Sequence, residues 1–119
     1  MNAQRQRALV AGNARRAAVA QLRRALQADP PSIRDVLLNP PEMLAGMLLV
    51  DVVCLPCGGR RPRTAVLMQL GRRAIDDGVN LLAPLDRATP SARAWVAANA
   101  VWVPRGRKWS LVLGPKEPR

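Results

Sequence analysis

Cys54-Leu55-Pro56-Cys57-Gly58-Gly59-Arg60-Arg61-Pro62-Arg63 joins two stretches of helical character and passes from thiols to glycines to guanidiniums. Two chemistries compete for it. A Cys-x-x-Cys pair suggests redox or metal work; paired glycines ahead of arginines suggest a cradle for an anion. Redox chemistry needs the first cysteine exposed at a helix N-terminus, where its thiolate is stabilised. Here Cys54 closes an apolar run that also carries Leu48 and Val52, so it reads as a buried, idle thiol, and no βαβ pattern surrounds it. A structural zinc site takes four ligands, and the chain has two cysteines and no histidine. The anion reading fits better. Gly58 and Gly59 let the backbone approach a ligand with successive N–H groups outward. A helix starting near Arg61 adds its positive end, and Arg60, Arg61 and Arg63 add formal charge.

Working outward, the preceding run predicts a helix from about Glu42 through Val53, with Met43, Met47, Leu48, Val52 and Leu55 as core. Arg60–Leu70 reads as the next helix, with Pro62 tolerated in its first turn, Val66, Leu67 and Leu70 inward, and Gly71 as its C-cap. A loop from Asp76 to Asp86 follows, tethered by Leu81, Leu82 and Leu85. Thr89-Pro90 opens another helix, Thr89 as cap and Pro90 at the first position, ending near Asn99. Upstream, residues 3–27 form a long Ala/Arg-rich helix with Val19, Leu22 and Leu26 as its apolar stripe. Its first ten residues are a candidate disordered basic arm. Asp29-Pro30-Pro31 ends it, and Ser32 is placed to cap a short helix carrying Ile33, Val36 and Leu37.

The last segment changes period. Val101-Trp102-Val103 and Lys108–Leu113 read as a β-hairpin. A four-residue loop at 104–107 would set Trp102 opposite Trp109 and put Arg105, Arg107 and Lys108 at the tip, as a wing reaching phosphate or as the lid of the helical core. The expected fold class is therefore mainly α: a basic N-terminal helix (1–28), a helical domain (29–100), and a C-terminal hairpin and tail (101–119).

The 119-residue chain carries 19 Lys and Arg against 8 Asp and Glu, a formal charge of +11. That excess points to a polyanion, nucleic acid first. The first 28 residues hold six arginines and no acid, where a merely solvated helix would mix signs. Arg16 and Arg23, seven apart, share one side of this helix. The longest apolar stretch, Met43–Cys57, is 15 residues interrupted by Asp51, short of the roughly 20 that a spanning helix needs. No secretory signal is visible, so the expectation is a cytoplasmic protein with reduced thiols, no membrane partner and no cofactor. Histidine is absent and no nucleophile sits beside a base, which argues against an enzyme.

With these elements in place, the chain resembles the actinobacterial integration host factor family of nucleoid-associated proteins. The resemblance rests on Ala14-Arg15-Arg16-Ala17 and Leu22-Arg23-Arg24-Ala25-Leu26 in the first helix. It continues through Ser32-Ile33-Arg34-Asp35-Val36-Leu37, and through Met47-Leu48-Leu49-Val50-Asp51-Val52-Val53-Cys54-Leu55-Pro56 by way of Gly59 into Arg63–Leu70. It spans about residues 8–99. Gly58 stands where family turns carry an apolar residue, Pro62 where they carry an arginine, and the hairpin is an addition suited to a divergent or mobile-element-borne copy. The resemblance implies a helix-two-turns-helix module that binds double-stranded DNA with little sequence preference. It carries the phosphate-holding role onto Gly59, Arg60, Arg61 and Arg63, and onto Arg15, Arg16 and Arg23. The expected function is thus a monomeric, non-enzymatic architectural protein of the nucleoid. The alternatives are an RNA-binding or ribosome-associated module, and an adaptor whose hairpin engages a protein partner.

Overall fold

The computed structural model describes residues 3–57 and 60–115, apart from the side chains of residues 60–62. Helix α1 spans Ala3–Ala28, so the described part of the expected basic arm is drawn as helix continuous with the rest of α1. The residue before a proline is pushed out of helical geometry, and Asp29 accordingly sits at φ −144°, ψ 74°. Pro30–Ser32 forms a 3₁₀ turn that runs into α2, Ile33–Leu38. Ile33, Val36 and Leu37 are buried, as their spacing predicts. Ser32 does not cap α2: as the last residue of the 3₁₀ turn it is itself helical (φ −63°, ψ −12°) rather than extended as an N-cap residue is, and its hydroxyl donates to the Asp29 carboxylate at 2.6 Å.

The helix expected over 42–53 is not continuous. Glu42–Leu44 is a 3₁₀ turn, Leu48 is extended (φ −70°, ψ 147°), and only Leu49–Val53 forms α3. Tertiary pairing decides this. Leu85 N–H donates to the Met47 carbonyl (2.8 Å), Asp86 N–H to Ala45 (2.9 Å) and Leu49 N–H to Ala83 (3.0 Å). A helix would have consumed those groups internally. The interruption also moves the core: Leu44, Leu49, Val50 and Val53 are buried with Val52 and Leu55, while Met43, Met47 and Leu48 lie half-buried at its edge.

Helix α4, Arg60–Asp76, continues through Gly71. It ends at Asp76, and Gly78 just beyond takes a φ of +72°, the left-handed conformation glycine adopts without strain. Val79 N–H reaches the Ala74 carbonyl at 2.8 Å and Gly78 N–H that of Ile75 at 3.2 Å, a Schellman closure. Leu81 and Leu85 tether the following loop, whereas Leu82 is exposed. Helix α5, Pro90–Asn99, begins as predicted, with Ala92 N–H donating to Thr89 Oγ1 at 3.1 Å.

Strands β1 (Ala100–Arg105) and β2 (Lys108–Leu113) form one antiparallel hairpin. The connection is two residues, not four: Gly106 at φ 65° followed by Arg107 at negative φ, the II′ pattern that suits hairpin twist. Trp102 therefore faces Leu111, and Trp109 faces Pro104. The shorter turn shifts the pairing by two residues, so both indoles keep the face assigned to them but do not pair. Trp102 is buried in the main core and Trp109 packs partly on it. An isolated two-stranded sheet is marginal in water; this one is held by the helices. Gly114 closes it, its N–H donating to the Asn99 carbonyl (2.8 Å) and its own carbonyl accepting from Arg73 Nη1 (2.8 Å).

Candidate nucleic-acid interface

The fold first removes two arginines from the pool of free cations. Half-buried Arg73 donates through Nη1 to Asn99 Oδ1 (3.0 Å) as well as to Gly114, binding α4 to the hairpin's return. Arg93 donates to the Leu37 and Leu38 carbonyls (3.0 and 3.2 Å), satisfying the C-terminal carbonyls of α2. Both are structural, and nothing in their sequence context separates them from their neighbours.

At the turn before α4, Cys57 N–H donates to the Cys54 carbonyl at 2.9 Å. Cys54 is buried and Cys57 exposed, and both are free thiols. Burial, helped by the nearby Asp51 carboxylate, pushes the Cys54 thiol from its ordinary 9.0 to about 11. Burial also raises Cys57. A raised pKa withholds the thiolate, the opposite of what a redox nucleophile needs. Among the described residues no three His, Cys, Asp or Glu side chains gather as a metal site.

The predicted phosphate ligands fall on three elements. Gly58 and Gly59 lie outside the described residues, as do the side chains of Arg60 and Arg61, whose backbone opens α4. Arg63 is not a free cation: its Nε lies 3.3 Å from Asp51 Oδ1, with the two side chains 44% and 37% exposed. A pair this open contributes about 0–1 kcal/mol, so a phosphate could displace Asp51 at little expense. Arg105, Arg107 and Lys108 surround the hairpin tip, all exposed, with Arg105 directly across from Lys108. Like charges placed opposite repel, and an anion at the tip would relieve them.

The richest cationic surface is α1. Arg15, Arg16 and Arg23 are exposed, and so are Arg5, Arg7 and Arg24, to which the resemblance gives no phosphate-holding role. Eleven residues make about three helical turns and seven about two, so Arg5, Arg16 and Arg23 fall on one line along the helix, about 16 and 10 Å apart. That spacing is visible in the sequence once 11-residue periods are considered alongside heptads. From Ala3 to Ala17 every residue is exposed except half-buried Gly12. Only the later Val19, Leu22 and Leu26 reach the core. Among the described residues, the single ion pair is Arg63 with Asp51, so none of these α1 guanidiniums has an acidic partner.

All three tryptophans are committed. Trp102 is buried, Trp109 half-buried, and half-buried Trp95 donates through Nε1 to Asp77 Oδ2 at 2.8 Å. No described helix is long and apolar enough to cross a membrane. No family model, curated protein or solved structure matches the chain.

Proposed function

We propose that the protein is a non-enzymatic, largely sequence-independent binder of double-stranded DNA, acting as a nucleoid-associated architectural protein of the integration host factor type suggested by its resemblance. The observation that carries this reading is the projecting half of α1, which is exposed, lacks any acid and bears arginines without protein partners. Like charges along such a helix repel one another, and a polyanion that replaces their diffuse counterions relieves that repulsion. Arg5, Arg16 and Arg23 follow one edge of it; the start of α4 and the hairpin tip offer further phosphate contacts. Guanidiniums match phosphate oxygens in fork geometry, and backbone contacts carry no sequence information.

Duplex is favoured over single strands by the state of the tryptophans. Single-strand recognition relies on exposed aromatic platforms for base stacking, and here each indole is packed or hydrogen-bonded.

The test is binding to random-sequence duplex across a salt series. Engagement of several arginines predicts a log–log slope of about −4 to −6, and a slope shallower than about −2 would refute the reading. Preferential retention of single-stranded RNA over duplex would refute it equally. Removing residues 101–119 is unsuitable as a test of the hairpin, because Trp102 belongs to the core. Replacing Arg105, Arg107 and Lys108 with Gln asks the same question in a folded protein.

A further inference from the structure

We infer that the exposed N-terminal half of α1 is a DNA-dependent helix: unbound it frays, and seating on a duplex orders it. This rests on the DNA reading above and adds to it a coupled folding step.

Residues 3–17 span about 22 Å of helix and contribute nothing to the core. Unsupported helices of about 12–15 residues are marginal in water even when rich in alanine. Three features weaken this one further. The first turn contains no acid, while Arg5 and Arg7 place positive charge at the positive end of the helix dipole. No Glu or Asp stands at i±4 to any arginine of α1. Gly12, the poorest helix former in α1, sits in the middle of the unsupported stretch and is followed by Asn13. The second half of α1 is anchored by Val19, Leu22 and Leu26 and holds its conformation without a ligand.

Phosphates reverse each weakness. They neutralise Arg5, Arg7, Arg15 and Arg16, and they favour the helical state because only there do Arg5, Arg16 and Arg23 align on one edge. Binding then includes the ordering of the arm, and whatever pre-orders the arm strengthens binding.

Gly12 provides a direct test, since a Cβ built there meets nothing within 4 Å. Gly12→Ala raises helix propensity without touching a charge. If ordering is coupled to binding, duplex affinity rises about three- to fivefold. Gly71→Ala, on the supported helix α4, leaves it unchanged. Amide exchange on the full chain supplies the second readout. Residues 5–13 exchange near coil rates in the free protein and at least about tenfold more slowly on a random-sequence duplex. Protection of these amides in the free protein overturns the inference. So does duplex binding that leaves them unprotected, or a Gly12→Ala protein with unchanged affinity; in both cases the DNA reading survives. Failure to retain duplex at all overturns the DNA reading itself.

Discussion

Gly114 closes the molecule, and its replacement by alanine tests how the hairpin is held. A Cβ at this position would run into the Ala98 carbonyl oxygen and lie 3.1 Å from its carbon and 3.2 Å from Asn99 Cα. All three are backbone atoms at the end of α5, which cannot move aside as a side-chain tip can. The strand end must lift away, and two bonds go with it: Gly114 N–H to Asn99 and Arg73 Nη1 to the Gly114 carbonyl. A neutral hydrogen bond contributes about 1 kcal/mol and one to a guanidinium about 1.5–3 kcal/mol, so the loss is about 2.5–4 kcal/mol. For a chain of this size that lowers Tm by about 10–15 °C. Urea denaturation followed by tryptophan fluorescence measures it, Trp102 and Trp109 both lying in the affected hairpin. Gly71→Ala provides the opposite sign. Gly71 lies inside α4 with nothing within 4 Å of an added Cβ. Alanine there should stabilise by about 0.5–1 kcal/mol. A Gly114→Ala protein within about 0.5 kcal/mol of the parent would refute the steric argument. Destabilisation by Gly71→Ala would refute the continuous α4.

Two further outcomes follow from the charges and the thiol. Replacing Arg5, Arg16 and Arg23 together with Gln should reduce the salt slope of duplex binding by about three, roughly one per lost phosphate contact; an unchanged slope would remove α1 from the interface. The Cys54 thiol, raised by burial to about 11 in the fold, ionises first in the unfolded chain. Its contribution is therefore intact below about pH 9 and declines between about pH 9 and 11, by no more than about 2–3 kcal/mol. Urea midpoints at pH 8, 10 and 11 should show this decline flattened in Cys54→Ala, and an equal decline in both proteins would refute the assignment.

Much of the candidate interface was legible because its signal is local. An arginine run without acids is present in the sequence whatever the fold. The line formed by Arg5, Arg16 and Arg23 follows from helix period alone, once the helix is granted. The anion-cradle reading of Gly58 and Gly59 rests on composition, and both glycines lie outside the described residues. Arg63 shows what composition omits: its neighbour Asp51 is twelve residues away in sequence yet 3.3 Å away in space.

The sequence alone determined α1, the Thr89-Pro90 start of α5, the buried face of α2 and the existence of the hairpin. Each depends on propensity, capping or periodicity within a few residues. Tertiary structure decided the rest. The chain from Ala45 to Leu48 abandoned a helix because backbone groups between Ala45 and Val50 found partners between Leu81 and Asp86. Helix α4 ran through Gly71 because its far end packs, with Ala74 buried, and because Gly78 supplies the turn. The hairpin register follows from the left-handed Gly106 and the closure at Gly114. Which arginines hold the protein together and which face outward depends on contacts 26 to 56 residues apart in sequence, which no local pattern encodes.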